Sequence, residues 1–404
     1  MQTTDVYAET AIGTESELPS VPIHEFLQRL KKELPKLIEL VTGDTLRHHE
    51  LWGKAIPYQV PSYGSGRSKG HCVRPDILLT RDGPKICELD FVPSGRGYLL
   101  ASLGHRQQEE FTKAFERWYR SMGATNVLYT TASTTTCRNE TEYFANRMRR
   151  FTDIRVNPVN IDRVPDEWGK ELFVDRLSYR SEMNTREEDK LLANLDVSTA
   201  EPYLDSKAIF AMIHEPSLTK MLEEELGVET LEFFRQAFPH TMLVSRIKSP
   251  KEVERIAKER EKWTVKNSDV ETDVSWGSRG TTVGARTSEK KFTGLLLGTA
   301  ANAKPAGTYP ILQRWHASRD FWYVWNAVID GVYEPTRLYA PDKQSDTKTT
   351  RYAEKEVGAR LGFYFLVNRE ARSCEVAPYG CMVMRQDDLI HGASDALCVA
   401  VQAR

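Results

Sequence analysis

Cysteine is scarce in this chain. There are six in 404 residues (Cys72, Cys87, Cys137, Cys374, Cys381 and Cys398), and no Cys-x-x-Cys pair. This excludes a disulfide scaffold and a cysteine-built zinc site, and it fits reduced thiols in the cytoplasm. Long apolar runs are missing too. Mean hydropathy is −0.50, and nothing approaches the ~20 apolar residues of a membrane-spanning helix. Neither sign of charge is in excess. The 55 Lys and Arg against 57 Asp and Glu leave a formal charge of −2, so no general attraction to nucleic acid or an anionic membrane is expected. Residues Met1 to Asp5 offer neither basic region nor apolar core, so no signal peptide is expected, and residues 1–20 read as a disordered polar tail. No Gly-x-Ser-x-Gly elbow occurs, which argues against a hydrolase triad despite the proximity of His391, Ser394 and Asp395. No Gly-Lys-Ser/Thr opens a helix, which excludes a Walker phosphate loop. His48, His49 and His71 lack the i,i+4 spacing or cysteine partners of a metal site.

What is present begins at Arg74 to Asp90. Ile77, Leu78 and Leu79 form an apolar run, Asp82-Gly83 is a hairpin turn signal, and Ile86, Cys87 and Leu89 belong to a return strand. Asp76 stands at the start of the first strand. Glu88 and Asp90 are two apart on the second, so both point to one face. Three converging carboxylates repel unless a cation neutralises them. A hard ion such as Mg²⁺, usually shared with substrate phosphates, suits them.

A second signature lies far downstream. Trp263-Thr264-Val265-Lys266 is a strand that delivers a lysine. An acidic stretch (Asp269, Glu271, Asp273) follows, then Ser275-Trp276-Gly277-Ser278-Arg279-Gly280 and a β-prone run to Gly284. Glycines let backbone N–H groups approach phosphate oxygens, and Lys266 adds a point charge. Tyr309 to Trp315 reads as an apolar strand with a polar end, able to offer backbone groups to an adenine edge.

Together these segments resemble the ATP-grasp ligases, in the arrangement shared by glutathionylspermidine synthetase and eukaryotic-type glutathione synthetase. There an Arg-x-Asp…Glu-x-Asn strand pair precedes a lysine and glycine-rich hairpin. The likeness covers residues 70–100 and 245–400. It implies an α/β (α+β) ATP-grasp fold, ATP and Mg²⁺ as cofactors, and Mg²⁺ on Asp76, Glu88 and Asp90. Arg74 is implied at substrate or phosphate, and Lys266 with Ser275, Gly277, Ser278, Arg279 and Gly280 at the ATP phosphates, Arg74, Lys266 and Arg279 being the catalytic set. Ile311 to Trp315, with Gln313, Arg314 and Trp315, is implied as the adenine hinge. Ser94, Gly95 and Arg96 take the position that meets the acid substrate, and the turn carrying His391, Ser394 and Asp395 the position that closes over it. Arg385 is grouped with these substrate residues. Asp90 stands where the family usually has Asn, and Ser-Trp-Gly-Ser-Arg-Gly replaces its commoner Glu-Gly-rich loop.

The rest reads in outline. Residues 22–42 form a helix. Residues 60–70, with Arg67 and Lys69, are either a surface loop or a lid with a basic tip. Residues 105–122 form an amphipathic helix with Phe111, Phe115, Trp118, Tyr119 and Met122 on one face, a core stripe stopped by Gly123. Val127-Leu128-Tyr129 follows as a buried strand, giving a Rossmann-like β-α-β element. Ser249-Pro250 caps a helix with Glu252 at its third position. Lys248, just before it, is either a second phosphate lysine or a surface residue. Phe321 to Trp325, Arg360 to Val367 and Gly380 to Arg385 read as strands. The expected division is an N-terminal substrate and metal region over 21–240, including the Rossmann-like subdomain, and a nucleotide-binding region over 241–404.

The implied function is an ADP-forming carboxylate–amine ligase. It would activate a carboxylate as an acyl phosphate and couple it to an amine. A small-molecule kinase, or a nucleotide-binding protein without catalysis, is the alternative. The expected partners are a small acid or peptide and an amine acceptor, with no nucleic acid and no membrane; a homo-oligomer is left open.

Overall fold

The chain builds its largest sheet from segments nearly 300 residues apart in sequence. The structure is a computed structural model that describes residues 20–21, 23–42, 68–131, 138–163, 172–177, 206–247, 249–268, 280–301, 310–318, 358–385 and 397–403, together with Ser198 and Leu204. Six strands form this sheet: β1 (Ser20–Val21), β2 (Gly70–Thr80), β3 (Gly83–Asp90), β11 (Gly358–Asn368), β12 (Ser373–Arg385) and β13 (Leu397–Ala403). Their order is β1-β13-β12-β11-β2-β3, antiparallel except for the β1–β13 edge. The division expected at residue 240 runs through this sheet, because β2 finds its second partner in β11.

Both faces of the sheet are covered, which explains why β11 reads as a nearly unbroken apolar run. Leu361, Phe363, Phe365 and Val367 pack into one core with α1 (His24–Thr42), α5 (Ala208–His214), α6 (Thr219–Leu226) and α7 (Val228–Ala237). Tyr364 and Leu366 point the other way, into a core with α2 (Arg96–Ala101), α3 (His105–Ser121) and α4 (Arg138–Phe151). The aromatic stripe of α3 is core as expected: Phe111, Phe115, Trp118 and Tyr119 are at most 3% exposed. The Trp118 indole N–H donates to the Val367 carbonyl at 2.9 Å, tying helix to sheet.

A parallel β-α-β element is present, but it begins at the strand expected to end one: the helix before that strand packs on the large sheet, and the crossover helix is α4. The strand β4 (Asn126–Thr131) leads through α4 to β5 (Arg155–Asn160), and β6 (Leu172–Arg176) pairs with β4 on its other side, all parallel. A third sheet holds β7 (Thr241–Leu243), β8 (Trp263–Lys266), β9 (Thr281–Val283) and β10 (Ile311–Arg314) in the antiparallel order β7-β10-β8-β9. Its helix α8 (Pro250–Lys258) starts as read, with the Ser249 hydroxyl accepting from the Glu252 N–H at 3.1 Å. Val253, Ile256 and Ala257 face the core that this sheet shares with α9 (Glu289–Ala301). Among the described residues no helix is long and apolar enough to cross a membrane.

Candidate active site

The Arg74–Asp90 hairpin forms with one feature the sequence pattern did not announce. Asp76 pairs with Glu88 and Arg74 with Asp90, but Ile77 pairs with Ile86. Cys87 is therefore an extra residue, a β-bulge. The bulge lets Ile86 and Leu89, three apart, face the same core. It also turns Glu88 and Asp90 to the opposite face, beside Asp76. The three carboxylates thus share one face, as expected.

They do not converge on one another. Arg360 of β11 forms an ion pair with Asp76, and the Arg74 Nε lies 3.9 Å from the same carboxylate. The Arg74 guanidinium donates to Asp90 at 2.9 Å. Lys207, at the start of α5, meets Glu88 at 2.9 Å. Lys266 reaches from β8 across to the hairpin, where its ammonium donates to the Cys87 carbonyl at 3.0 Å. Among the described residues no group of three His, Cys, Asp or Glu side chains is gathered to hold a metal ion. The expected three-carboxylate cage is instead a mixed cluster of three carboxylates and four cations. The physical reason is that neighbouring strands and α5 supply the neutralising charges. Mg²⁺ commonly binds one or two carboxylates plus phosphate. The donor set therefore fits an ion shared with a phosphate: Glu88 and Asp76 are cross-strand neighbours, and the Glu88 side chain is 36% exposed.

The electrostatics follow the pairing. Burial pushes Glu88 upward, but Lys207, Lys266 and Arg74 outweigh it and hold the carboxyl below its ordinary range. Asp90 is pushed up by burial, against the pull of Arg74. Lys266 is drawn down by burial, and the nearby Lys207 charge acts in the same direction. A buried lysine beside another cation is stabilised by an incoming anion.

Arg74 is held by what surrounds it. Gly362, opposite Asp76 on β11, leaves space for its stem; a Cβ there would come within 2.9 Å of the Arg74 Cδ. The guanidinium also donates to the Ser94 carbonyl, which accepts a second bond from the Tyr364 hydroxyl at 3.0 Å. Gly95, in the left-handed region at φ 97°, donates its N–H to both oxygens of Glu140, at 2.7 and 2.6 Å. Glu140 is buried, and burial raises its carboxyl to about 7.

These contacts revise the expected substrate turn. Arg96 is fully buried, paired with Asp175 and enclosed by the rings of Phe115, Tyr129 and Phe144. Tyr119 and Ser198 also donate to Asp175, at 2.6 and 3.1 Å. Arg96 therefore organises the interior and presents no surface to a substrate carboxylate. The Gly95 N–H is committed to Glu140, and Ser94 enters through its carbonyl, which anchors Arg74. The adenine hinge is also more occupied than expected. Gln313 is 1% exposed and donates to the Thr241 hydroxyl at 3.2 Å. The Arg314 and Trp315 N–H groups donate to the carbonyls of His240 and Lys262, both at 2.8 Å, so neither is open to a base. The Arg314 guanidinium lies over the Trp263 ring at 5.4 Å.

Gly280 is placed where the lysine hairpin returns, its carbonyl accepting from the Asn267 N–H at 2.8 Å. Arg385 ends β12, and only its backbone is described. Lys248, Ser275, Gly277, Ser278, Arg279, His391, Ser394 and Asp395 lie outside the described residues, as do Arg67, the acidic stretch after Lys266 and the segment Phe321 to Trp325. Sequence reasoning missed Lys207, Arg360, Glu140 and Tyr364. Two of them left a signal. Lys207 stands directly before the apolar run Ala208 to Ile213, at the helix end where the macrodipole disfavours a cation. Arg360 leads a strand that is otherwise apolar.

The fold and site define a mixed α/β protein with a charged cluster on an edge hairpin, faced by a lysine from a separate antiparallel sheet. No protein-family model matches the sequence, and no curated protein matches it. Solved structures do. The apo form of a glutathione synthetase-like effector from Globodera pallida superposes with a TM-score of 0.53 at 10% identity, over 96% of this chain and 89% of that one. A protein provisionally described as a gamma-glutamylcysteine synthetase from Methylobacillus flagellatus gives 0.44 at 10% identity, over 93% and 86%. The first likeness shows a shared overall fold.

Proposed function

We propose that the chain is an ATP-grasp ligase that activates a substrate carboxylate as an acyl phosphate and couples it to an amine. The observation that carries this reading is Lys266 spanning from its own sheet to the bulge of the carboxylate hairpin. Two sheets facing each other across Lys266, Lys207, Arg74 and Arg360 suit the clamping of a polyphosphate. The fold shared with a glutathione synthetase-like protein supports the same reading.

In this scheme Asp76, Glu88 and Asp90 would hold Mg²⁺ shared with the nucleotide, which neutralises phosphate charge during transfer. Lys266 and Lys207 bind and orient the phosphates. Arg74, fixed by Asp90 and the Ser94 carbonyl, offsets charge on the reacting oxygens. No protein nucleophile is needed.

The test is Mg²⁺-dependent ATP turnover against a panel of amino acids, short peptides and polyamines, reading ADP, AMP and product mass together. The expected result is ADP and phosphate only with an acid–amine pair, and a product lighter than their sum by one water. Lys266→Ala should lower kcat by about 10²–10³-fold, as for loss of one preorganised donor. ADP with a phosphorylated product would make the protein a kinase. Turnover unchanged in Lys266→Ala would remove this lysine from the site.

A further inference from the structure

The charges on the hairpin are arranged so that an anion can be received before any metal arrives. Asp76, Glu88 and Asp90 share one face with Arg74 and Arg360, and Lys207 and Lys266 close it from two other elements. Among the described residues, four cations stand against three carboxylates. Arg360 is the decisive one. It stands on β11 opposite Leu78, on the same face as Asp76, and forms an ion pair with the Asp76 carboxylate. Asp76 is thereby neutralised from within the fold by a side chain that cannot lose its charge. The Glu88 and Asp90 carboxylates are met in the same way by Lys207 and Arg74. Lys266 is bonded to a carbonyl rather than a carboxylate, so among the described residues its charge is the surplus. The side chains of Arg74, Arg360 and Lys207 are 16, 15 and 10% exposed. Partial shielding of this kind weakens competition from water and salt.

Resting on the nucleotide-site reading above, we infer that this cluster binds the polyphosphate chain of a nucleotide, or inorganic tripolyphosphate, without a divalent ion. Arg360 takes on Asp76 the neutralising role otherwise assigned to Mg²⁺. Mg²⁺ would then supply charge to the chemical step and contribute little to binding. Lys266 contributes the charge that is not spent on a carboxylate, and Arg74, Arg360 and Lys207 exchange part of their carboxylate contact for phosphate oxygens. Guanidinium groups suit that exchange because their planar fork serves carboxylate and phosphate alike.

The experiment is calorimetric titration of the full chain with inorganic tripolyphosphate and with ATP, once in EDTA and once in excess Mg²⁺. The expected result is binding in EDTA with a Kd within about threefold of that in Mg²⁺, which is under 1 kcal/mol. Arg360→Met should weaken binding in EDTA by about tenfold or more, the loss of one charged hydrogen-bonding partner. Arg360→Lys, which retains the charge, should restore part of it and guards against a folding defect in the first variant. Binding seen only with Mg²⁺ would overturn the inference and leave the nucleotide reading standing. No binding of either ligand in either condition would overturn both.

Discussion

Glu140 shows how a residue outside the charged cluster can govern one within it. Its two oxygens hold the Gly95 N–H, the neighbouring Ser94 carbonyl holds Arg74, and Tyr364 braces the same carbonyl. The turn is thus a positioning device for Arg74, and the sequence resemblance alone would have made it a substrate contact. Glu140 carries a measurable signature. Burial raises its carboxyl from an ordinary 4.5 to about 7. Between those values the folded protein binds more protons than the unfolded one, so stability falls as pH rises through that window. The part due to Glu140 amounts to about 3 kcal/mol, fully present below the window and lost above it. In Glu140→Gln this dependence should disappear. Thermal unfolding of both proteins at about pH 5 and about pH 8 checks it: the gap in midpoint should shift toward the variant at the higher pH. An unchanged gap would mean that Glu140 titrates normally.

At the level of elements, the helices were the legible part. The stripe Phe111, Phe115, Trp118, Tyr119 has helical period, and the Ser249-Pro250 start carries its own cap. Both signals are local, and both are realised. Their energetic weights differ. Phe115 touches the rings of Phe111, Trp118, Phe144 and Tyr364 and lies under the Arg96 guanidinium. Phe115→Ala should cost about 3–5 kcal/mol, from lost burial and the cavity left behind. Ser249→Ala, which removes one cap, should cost about 1 kcal/mol. Chemical denaturation of the two variants should show this order, and equal losses would contradict the packing described for α3. The hairpin was legible as a hairpin, but its bulge was not. A bulge at Cys87 depends on which core Ile86 and Leu89 must reach, and that core is built by residues far away in the chain.

At the scale of the molecule, the central sheet decides the organisation. A boundary at residue 240 is natural from the motifs, which fall into an early and a late group. The sheet ignores it, since β2 is hydrogen-bonded to β3 on one side and to β11 on the other. Residues 21–240 expressed alone should therefore lack a cooperative thermal transition, because Val73 and Ile77 would lose the β11 partner that completes their core. Co-expression with residues 241–404 should restore it, and cooperative unfolding of the isolated fragment would disprove this account. Sequence by itself determined what depends on near neighbours: the amphipathic helices, the Asp82-Gly83 turn, the alternation that puts Glu88 and Asp90 on one face, and the strand that delivers Lys266. Tertiary structure alone decided which charges meet. Arg360 reaches Asp76, Lys207 reaches Glu88 and Lys266 reaches the Cys87 carbonyl only because strands and helices distant in sequence pack together. Arg96 was drawn inside for the same reason: Asp175 and three aromatic rings, all remote in the chain, form a buried site whose charge and shape match a guanidinium.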